Sequence, residues 1–276
     1  FGVRSVDMDI VLREWRSNMG GAGLCLWAFD HQLNLAWETE LSLPYGHHEA
    51  VRFFDVDGDG YDELLAGGVL MGPDGSIRWE HNLGDEILAQ ATEHYDAVFV
   101  GHFAGDPEQD PCAFLIGGNP GVYVVDAKTG KTRCAHRIGH AQAALVCRLR
   151  NDLPGSQVLV INRHGSHGIL TLFSGRGDRL WSIQPDFKGE GTMPVQWCAT
   201  GPQYLWVNSS MRGMGLYDGH GRLVNRLEAV RDASDRFRPP PDRPARRPVV
   251  LQREPDGLDL LGVPVGETGL KLFGPE

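Results

Sequence analysis

The 276-residue chain contains little lysine and no surplus of positive charge. Its four lysines are Lys128, Lys131, Lys188 and Lys271, and 26 Lys and Arg residues face 36 Asp and Glu residues, which gives a formal net charge of −10. Binding to nucleic acid or to an anionic membrane depends on clustered basic residues that displace counterions. The composition therefore predicts neither partner, and it leaves room for a local basic pocket that binds a small acidic ligand.

Paired cysteines and long apolar runs are also missing. None of the five cysteines stands in a C-x-x-C pair, which disfavours zinc and thioredoxin-like sites, and four of them lie in apolar stretches typical of a core. No apolar run approaches the roughly 20 residues of a membrane-spanning helix. The chain begins with Phe1 and shows no signal peptide, so we expect a processed, trimmed or fragmentary chain.

The chain does contain an internal repeat. The segments HHEAVRFF from position 47, EHYDAVFVGHF from 93 and GHAQAALVCRL from 139 place His48, His94 and His140 at intervals of 46 residues. Three more short apolar segments, separated by turn residues, follow each opening. Four short strands per repeat of this length are typical of a β-propeller blade.

The predicted fold is therefore all-β, a single β-propeller domain over residues 1–276 with about six four-stranded blades. The first unit lacks its innermost strand and the last its outermost, as in propellers whose termini share a blade; truncation of a larger propeller is the alternative. No sustained helical period supports a βαβ fold, and a β-sandwich gives no reason for the repeat. The Pro-rich and charged segment 231–248 predicts an exposed loop. The approximate blades are 1–46, 47–92, 93–138, 139–190, 191–230 and 245–276.

The stretch FFDVDGDGYDELLAGG, residues 53–68, places five acidic side chains in nine positions between two predicted strands. Its alternate positions match the oxygen ligands of a calcium loop, with Gly60 allowing the sharp turn. Position 12 of such a loop is Ala66 and no helices flank it, so it is a strand–loop–strand site and not an EF-hand. We predict one structural Ca²⁺ here and none in the matching turns of the next two units. The predicted ligands are Asp55, Asp57, Asp59, Tyr61 (through its backbone carbonyl) and Glu63.

Three segments resemble the rhamnogalacturonan lyases of polysaccharide lyase family eleven: DVDGDGYDELLAGGVLMGPDG, HYDA, and GHAQAALVCRLRNDLPGSQVLVINRHGSHGILTLFSGRGDRLW. The acidic turn is shared with FG-GAP and VCBS-type repeat propellers. The resemblance covers residues 6–225 and is clearest over 47–181. It implies a calcium-containing β-propeller, extracellular or periplasmic, that cleaves a pectin-type polysaccharide by β-elimination. Lyases of this family are longer and include a β-sandwich domain, and their His-Gly-Asp openings are altered in this chain.

The segment that leads into the innermost strand of a blade lies at the mouth of the central channel. Eight residues are therefore expected on one rim: His48, Glu49, His94, Asp96, His140, Gln142, Arg163 and Arg212. The lyase reaction needs a neutralised uronate carboxylate, a base and an acid. We expect His94 or His140 to be the base and Arg163 to bind the carboxylate, with Arg212 or a second calcium at Asp96 as alternatives. The other rim residues are predicted to bind substrate.

Two further functions stay open at this point. The rim of a non-catalytic propeller could bind glycans or proteins, and a structural repeat array inside a larger secreted protein would need no rim chemistry. The repeated histidines could bond to the backbone of the neighbouring blade, and the arginines could form ion pairs between blades. The expected partner is an acidic polysaccharide, and the expected state is a monomer. The tryptophans of the predicted strands are expected to be core residues.

Overall fold

The structure is a computed structural model that describes residues 10–13, 24–41, 51–81, 95–109, 111–118, 121–163, 165, 168–185, 192–198, 200–207, 215–226, 249–252, 259–265 and 269–273. Every regular element in these ranges is a β-strand. The prediction of an all-β chain is therefore confirmed. No helix capable of crossing a membrane occurs in the same ranges. The predicted loop 231–248 lies outside the described residues.

The strands form six antiparallel sheets that follow one another in chain order. Four sheets have four strands, while the first and last have three, and within each sheet every strand pairs with its neighbour in sequence. This meander arrangement is the one that propeller blades use. Sheet 1 contains β1 (Ile10–Arg13), β2 (Leu24–Phe29) and β3 (Leu35–Leu41). Sheet 2 contains β4 (Val51–Phe54), β5 (Glu63–Ala66), β6 (Val69–Met71) and β7 (Ile77–Glu80).

The later sheets repeat this order. Sheet 3 contains β8 (Ala97–Gly101), β9 (Cys112–Gly117), β10 (Gly121–Asp126) and β11 (Thr132–Arg137). Sheet 4 contains β12 (Ala141–Cys147), β13 (Gln157–Asn162), β14 (Leu170–Phe173) and β15 (Arg179–Ile183). Sheet 5 contains β16 (Met193–Val195), β17 (Tyr204–Val207), β18 (Gly215–Tyr217) and β19 (Leu223–Asn225). Sheet 6 contains β20 (Val249–Gln252), β21 (Asp259–Val265) and β22 (Gly269–Phe273).

The chain divides into two compact units. Unit 1 comprises residues 1–144 and 162–166, and unit 2 comprises 145–161 and 167–276. Every residue of the candidate site described below belongs to unit 1. The loop between β12 and β13, which resembles one loop of the site, belongs to unit 2.

Burial follows the position of a strand within its sheet. The middle strands β5, β9, β13 and β14 are buried along their whole length, whereas the last strands β7, β11 and β19 are largely exposed. Strands covered on both faces have continuous apolar sequences instead of alternating ones. In unit 1 the apolar faces of sheets 2 and 3 share one cluster that contains Leu65, Leu70, Val98 and Leu115. Consecutive sheets of unit 1 therefore pack face to face.

Tryptophans at the same place in three sheets bind the hairpin turn of the following sheet. Trp37 Nε1 donates to the carbonyl of Pro73 at 2.9 Å, and Trp79 Nε1 donates to that of Ala127 at 2.7 Å. In unit 2, Trp181 Nε1 donates to the carbonyl of Gly219 at 2.9 Å. A buried indole N–H needs such an acceptor. These tryptophans therefore join successive sheets.

Candidate functional site

The structure describes two groups of the predicted site residues. One is the acidic turn between β4 and β5, and the other consists of Asp96, His140, Gln142 and Arg163. The remaining predicted residues, His48, Glu49, His94 and Arg212, lie outside the described residues.

The acidic turn folds around the carboxylate of Asp55. Asp55 Oδ1 accepts hydrogen bonds from the backbone N–H groups of Gly58 at 2.7 Å and Asp59 at 3.1 Å, while Oδ2 accepts one from Gly60 at 2.9 Å. Gly58 and Gly60 have φ values of +83° and +93°, a region that favours glycine. The DGDG sequence thus permits a tight loop that turns several carboxylates inward.

Three of the five predicted metal ligands come together in this turn. Asp55, Asp57 and Glu63 each offer one carboxylate oxygen, and these oxygens lie within 4.8 Å of one another. Ligands bound to calcium at about 2.3–2.6 Å lie at such separations. Asp59 is not part of this group, and its Oδ1 accepts the N–H of Tyr61 at 2.8 Å. The carboxylates present therefore suit a hard cation, while the ligand roles of Asp59 and the Tyr61 carbonyl remain predictions.

Glu63 is the buried member of the group. Its side chain is fully buried, its Oε2 accepts the backbone N–H of Val56 at 2.7 Å, and burial raises its pKa. A buried carboxylate needs hydrogen bonds and a positive partner to stay ionised. The protein partner of Glu63 is Arg78, whose Nη2 lies 2.9 Å from Oε1.

Arg78 also contacts a second ligand of the group, a role that sequence reasoning missed. Its Nη1 donates to Asp57 Oδ2 at 2.6 Å, and this bond is the main cause of the lowered pKa of Asp57. Arg78 lies on β7, two strands beyond the turn in the same sheet. The motif contains no signal for a residue so far along the chain, because only the pairing of β5, β6 and β7 brings it there.

An equivalent loop without the acidic cluster lies between β12 and β13, and its one carboxylate, Asp152, pairs with Arg150. Gln157 begins β13 as Glu63 begins β5, is fully buried, and accepts the backbone N–H of Arg150 through Oε1 at 2.9 Å. Seven residues separate donor and acceptor in both loops, from Val56 to Glu63 and from Arg150 to Gln157. A neutral amide is therefore sufficient to close this kind of loop. The negative charge at Glu63 is therefore not required for the loop shape.

The second group centres on Asp96, which directly precedes β8. The Asp96 side chain is fully buried, and its Oδ1 accepts a hydrogen bond from Gln142 Nε2 at 2.5 Å. His140 Nε2 lies 3.5 Å from Asp96 Oδ2, and the His140 side chain is 16% exposed. Three of the predicted rim residues are thus brought into direct contact. A partly exposed imidazole thus lies beside a buried carboxylate.

Arg163 lies next to this group through its backbone. Its N–H donates to the carbonyl of His140 at 2.9 Å, and the neighbouring Asn162 donates through Nδ2 to the carbonyl of Ile138 at 2.5 Å. Arg163 is exposed. The end of β13 is therefore fastened to the segment that leads into β12, which places Arg163 beside His140.

Sequence reasoning also missed an arginine on the first strand of sheet 2. The guanidinium of Arg52 lies 5.1 Å from the ring centroid of Phe99, and the neighbouring Phe53 is 50% exposed. Among the described residues, Arg52 Nη1 donates to the carbonyl of Val51 at 2.8 Å, and the other N–H groups of the guanidinium can bind a ligand. A guanidinium stacked on an aromatic ring is held in place and can still bind a carboxylate with two hydrogen bonds. This pairing depends on β4 lying against β8.

A half-buried histidine anchors the residue next to Asp96. His81 Nδ1 lies 2.8 Å from the hydroxyl of Tyr95, and His81 Nε2 lies 3.0 Å from the Thr132 hydroxyl. The ring of Tyr123 is 4.9 Å from that of His81. Burial lowers the pKa of His81, so the neutral ring is favoured at neutral pH. Tyr95 and, through the chain, Asp96 are therefore fixed by uncharged contacts.

No protein-family model and no curated protein matches the sequence. Solved structures do match the fold. The rhamnogalacturonan lyase YesW aligns with a TM-score of 0.50 and 21% identity, covering 66% of this chain and 30% of the lyase. The exotype rhamnogalacturonan lyase YesX gives a TM-score of 0.51 and 21% identity, covering 67% of this chain and 31% of the lyase. The chain thus spans less than a third of each lyase, and the likeness shows the fold alone.

The biofilm matrix protein Bap1 of V. cholerae aligns over more of the chain. Its TM-score is 0.55 at 9% identity, and the alignment covers 88% of this chain and 64% of Bap1. The class that the fold defines is an all-β protein built from antiparallel meander sheets, like parts of rhamnogalacturonan lyases and of a matrix protein.

Proposed function

We propose that this chain is the propeller of a carbohydrate-active protein, a rhamnogalacturonan lyase-like enzyme that cleaves a uronate-containing polysaccharide by β-elimination. The main support is the contact of His140 and Gln142 with the buried Asp96 carboxylate. The fold likeness to two rhamnogalacturonan lyases agrees with this substrate class. The chain is proposed to be secreted, to act as a monomer and to bind a pectin-type polymer.

In the proposed reaction His140 is the base and His94 is the alternative. The Asp96 carboxylate faces His140 Nε2 at 3.5 Å, so it would orient the ring and stabilise the imidazolium that forms when His140 takes the proton next to the uronate carboxylate. The electron pair of the broken C–H bond would form a C=C bond as the C–O bond to the 4-linked sugar breaks, and the leaving oxygen would take a proton from water. Gln142 holds Asp96 in that orientation through the 2.5 Å hydrogen bond. His48, Glu49 and Arg212 are proposed to complete the binding surface.

The substrate carboxylate must be neutralised before its neighbouring proton becomes acidic enough to remove. Arg163 is exposed and its backbone is bonded to His140. Arg52 lies on β4, the first strand of sheet 2, and its guanidinium is stacked on Phe99. We propose that these two arginines bind the carboxylate groups of the polymer.

Asp55, Asp57 and Glu63, with Asp59 and the carbonyl of Tyr61, are proposed to hold one structural Ca²⁺. The three grouped carboxylates and the buried charge of Glu63 support this site. The bound ion would neutralise the turn and fix the connection between β4 and β5. The six sheets are proposed to be the six blades of one propeller domain over residues 1–276.

A binding protein without catalytic activity is the second candidate. The alignment with Bap1 covers 88% of this chain, compared with 66% for YesW, so the fold of a matrix protein accounts for more of the sequence. On this alternative the same surface would bind glycans or proteins as FG-GAP-type propellers do.

The two candidates are separated by measuring turnover and binding on the same protein. Wild type and the His140→Ala variant are incubated with rhamnogalacturonan and with other uronate polymers in calcium, and the ultraviolet absorbance of the unsaturated product is followed. The proposal expects a signal from wild type and a loss of at least 100-fold in the variant. Binding by calorimetry without any product from wild type would support the binding protein and remove the enzyme.

A further inference from the structure

We propose that Arg78 is a built-in counter-cation that competes with calcium for the acidic turn. This inference rests on the proposed calcium site, and it concerns how tightly and how reversibly that site binds the ion. Arg78 holds the turn together when the metal is absent, and it must leave the carboxylates when the metal arrives.

Two carboxylates of the turn divide their oxygens between the backbone and Arg78. Asp57 accepts the Asp59 N–H on Oδ1 at 3.2 Å and the Arg78 guanidinium on Oδ2 at 2.6 Å. Glu63 accepts the Val56 N–H on Oε2 at 2.7 Å and lies 2.9 Å from Arg78 through Oε1. In each case one oxygen serves the loop backbone and the other faces Arg78. In Asp57 and Glu63, the oxygens that face Arg78 are the ones that a cation would take.

A guanidinium and a calcium ion in the same place repel each other, because both are positive and lie at contact distance from the same oxygens. Arg78 has room to move, since its side chain is 33% exposed and can extend towards water. The pKa of the Asp74 carboxyl is lowered, mainly by a hydrogen bond from Ser76. The positive charge of Arg78 also contributes to this lowering. Asp74 thus offers a second partner at the surface.

The chain contains its own comparison for this pairing of charges. In sheet 4 the buried Gln157 stands where sheet 2 has Glu63, and Leu180, which precedes Trp181, stands where sheet 2 has Arg78 before Trp79. The carboxylate and the arginine are absent together. In sheet 3 the same strand position is Arg133, which instead pairs with Asp126 at 2.6 Å. Arg133 is therefore a matched control without an acidic triad.

The proposal predicts opposite effects of one substitution in two conditions. In the Arg78→Gln variant without calcium, the carboxylates lose their counter-charge, so the melting temperature falls below that of wild type. With calcium present, the ion meets no competitor, so affinity rises about tenfold or more, as one nearby charge can change an ionic equilibrium by that factor. A residue that merely supports the loop would weaken both states.

The experiment measures calcium binding by calorimetry and melting temperature with EGTA or calcium for wild type, Arg78→Gln, Arg78→Lys and Arg133→Gln. Tighter binding in Arg78→Gln, with Arg78→Lys and Arg133→Gln close to wild type, supports the proposal. Unchanged or weaker calcium binding by a folded Arg78→Gln variant overturns it. Should Arg78→Gln not fold in EGTA, it must still fold in calcium; failure in both conditions also counts against the competition.

The failure of the calcium site itself has a different signature. Glu63→Gln removes a proposed ligand, so the site requires that this variant bind calcium much more weakly than wild type. Equal binding by wild type and Glu63→Gln would show that the ion lies elsewhere. If neither wild type nor Arg78→Gln binds calcium, both the site and the competition are wrong.

Discussion

Gln142 donates a hydrogen bond of 2.5 Å to the buried carboxylate of Asp96, and the two residues stand 46 positions apart in the chain. That separation is the period of the repeat. Residues at equivalent positions of these two consecutive repeats therefore touch each other. A second carboxylate at position 142 would therefore lie against Asp96 and repel it.

A carboxylate in place of Gln142 should therefore destabilise the protein. The Gln142→Glu variant would set a second negative charge against buried Asp96 at hydrogen-bond distance and remove the donor, with an expected loss of about 2–4 kcal/mol at neutral pH. The free energy of unfolding is measured in urea. Gln32→Glu, on an exposed turn, is the control and should leave stability within about 0.5 kcal/mol. Equal effects of the two changes would contradict the burial of the Asp96 contact.

The two equivalent loops predict a reciprocal pair of substitutions. Gln157→Glu would bury a carboxylate where Leu180 stands in place of an arginine, so we expect a loss of about 3–5 kcal/mol at neutral pH. Glu63→Gln should keep the metal-free fold, because Gln157 shows that an amide closes this loop. Thermal unfolding with EGTA compares both variants with wild type. A Glu63→Gln protein that fails to fold, or a fully stable Gln157→Glu protein, would contradict the equivalence.

Removal of the arginine that stacks on Phe99 should weaken polymer binding. In Arg52→Gln the guanidinium fork is lost, and we expect the affinity for a uronate polymer to fall about tenfold, the effect of losing one charged hydrogen-bonded contact. Calorimetry measures the dissociation constant, and circular dichroism checks the fold. Arg176→Gln, on the exposed turn after β14, serves as the control. Unchanged affinity in Arg52→Gln would remove Arg52 from the proposed surface.

The contact between Trp79 and the turn of sheet 3 predicts that position 130 must be glycine. Gly130 has a φ of +69°, and an added Cβ would lie 2.8 Å from the indole of Trp79. Gly130→Ala should therefore cost the backbone strain of about 1–2 kcal/mol and, in addition, about 1–3 kcal/mol from overpacking. Gly201 has a φ of +109° and open space around it, so Gly201→Ala should show the backbone strain without the overpacking. Urea unfolding of Gly130→Ala and Gly201→Ala should separate the two; equal losses would mean that the turn moves freely away from Trp79.

The half-buried His81 predicts a pH dependence of stability. Burial lowers its folded-state pKa, so below the unfolded-state pKa of about 6.5 the unfolded chain binds more protons. Its stabilising contribution is thus present above about pH 6.5 and is lost as the pH falls towards the lowered folded pKa. Denaturant unfolding at several pH values between 5 and 8 should show a steeper loss for wild type than for His81→Gln. Parallel curves would mean that protonated His81 is tolerated between Tyr95 and Thr132.

Local spacing was sufficient to predict several parts of the structure. Strands β4 and β5 flank the acidic turn as the FF and ELLA segments indicate, and the glycines of DGDG take the left-handed conformations that the loop pattern requires. The repeated histidine positions also led to Asp96, His140 and Gln142, which the structure brings together. These features depend on residues close in sequence or on the period itself.

Contacts between strands far apart in sequence were not predictable in this way. Asp59 matches the ligand pattern as well as Asp57 does, yet its carboxylate bonds to the Tyr61 N–H and lies outside the acidic group. Arg78 and Arg52 belong to no motif, and their partners are chosen by strand pairing and by the packing of one sheet on another. Spacing alone does not tell which way a side chain turns inside a loop.

The sequence alone determined the period of the repeat, the strand character of the chain and the acidic chemistry of one turn. Each of these depends on residues that are near neighbours or that recur at a fixed interval. Only the tertiary structure decided that Arg78 balances Asp57 and Glu63, that Gln142 binds Asp96, and that Arg52 stacks on Phe99. The physical reason is that pairing and packing bring together side chains from different strands, and the charge that a buried carboxylate meets depends on those neighbours and not on its position in a motif.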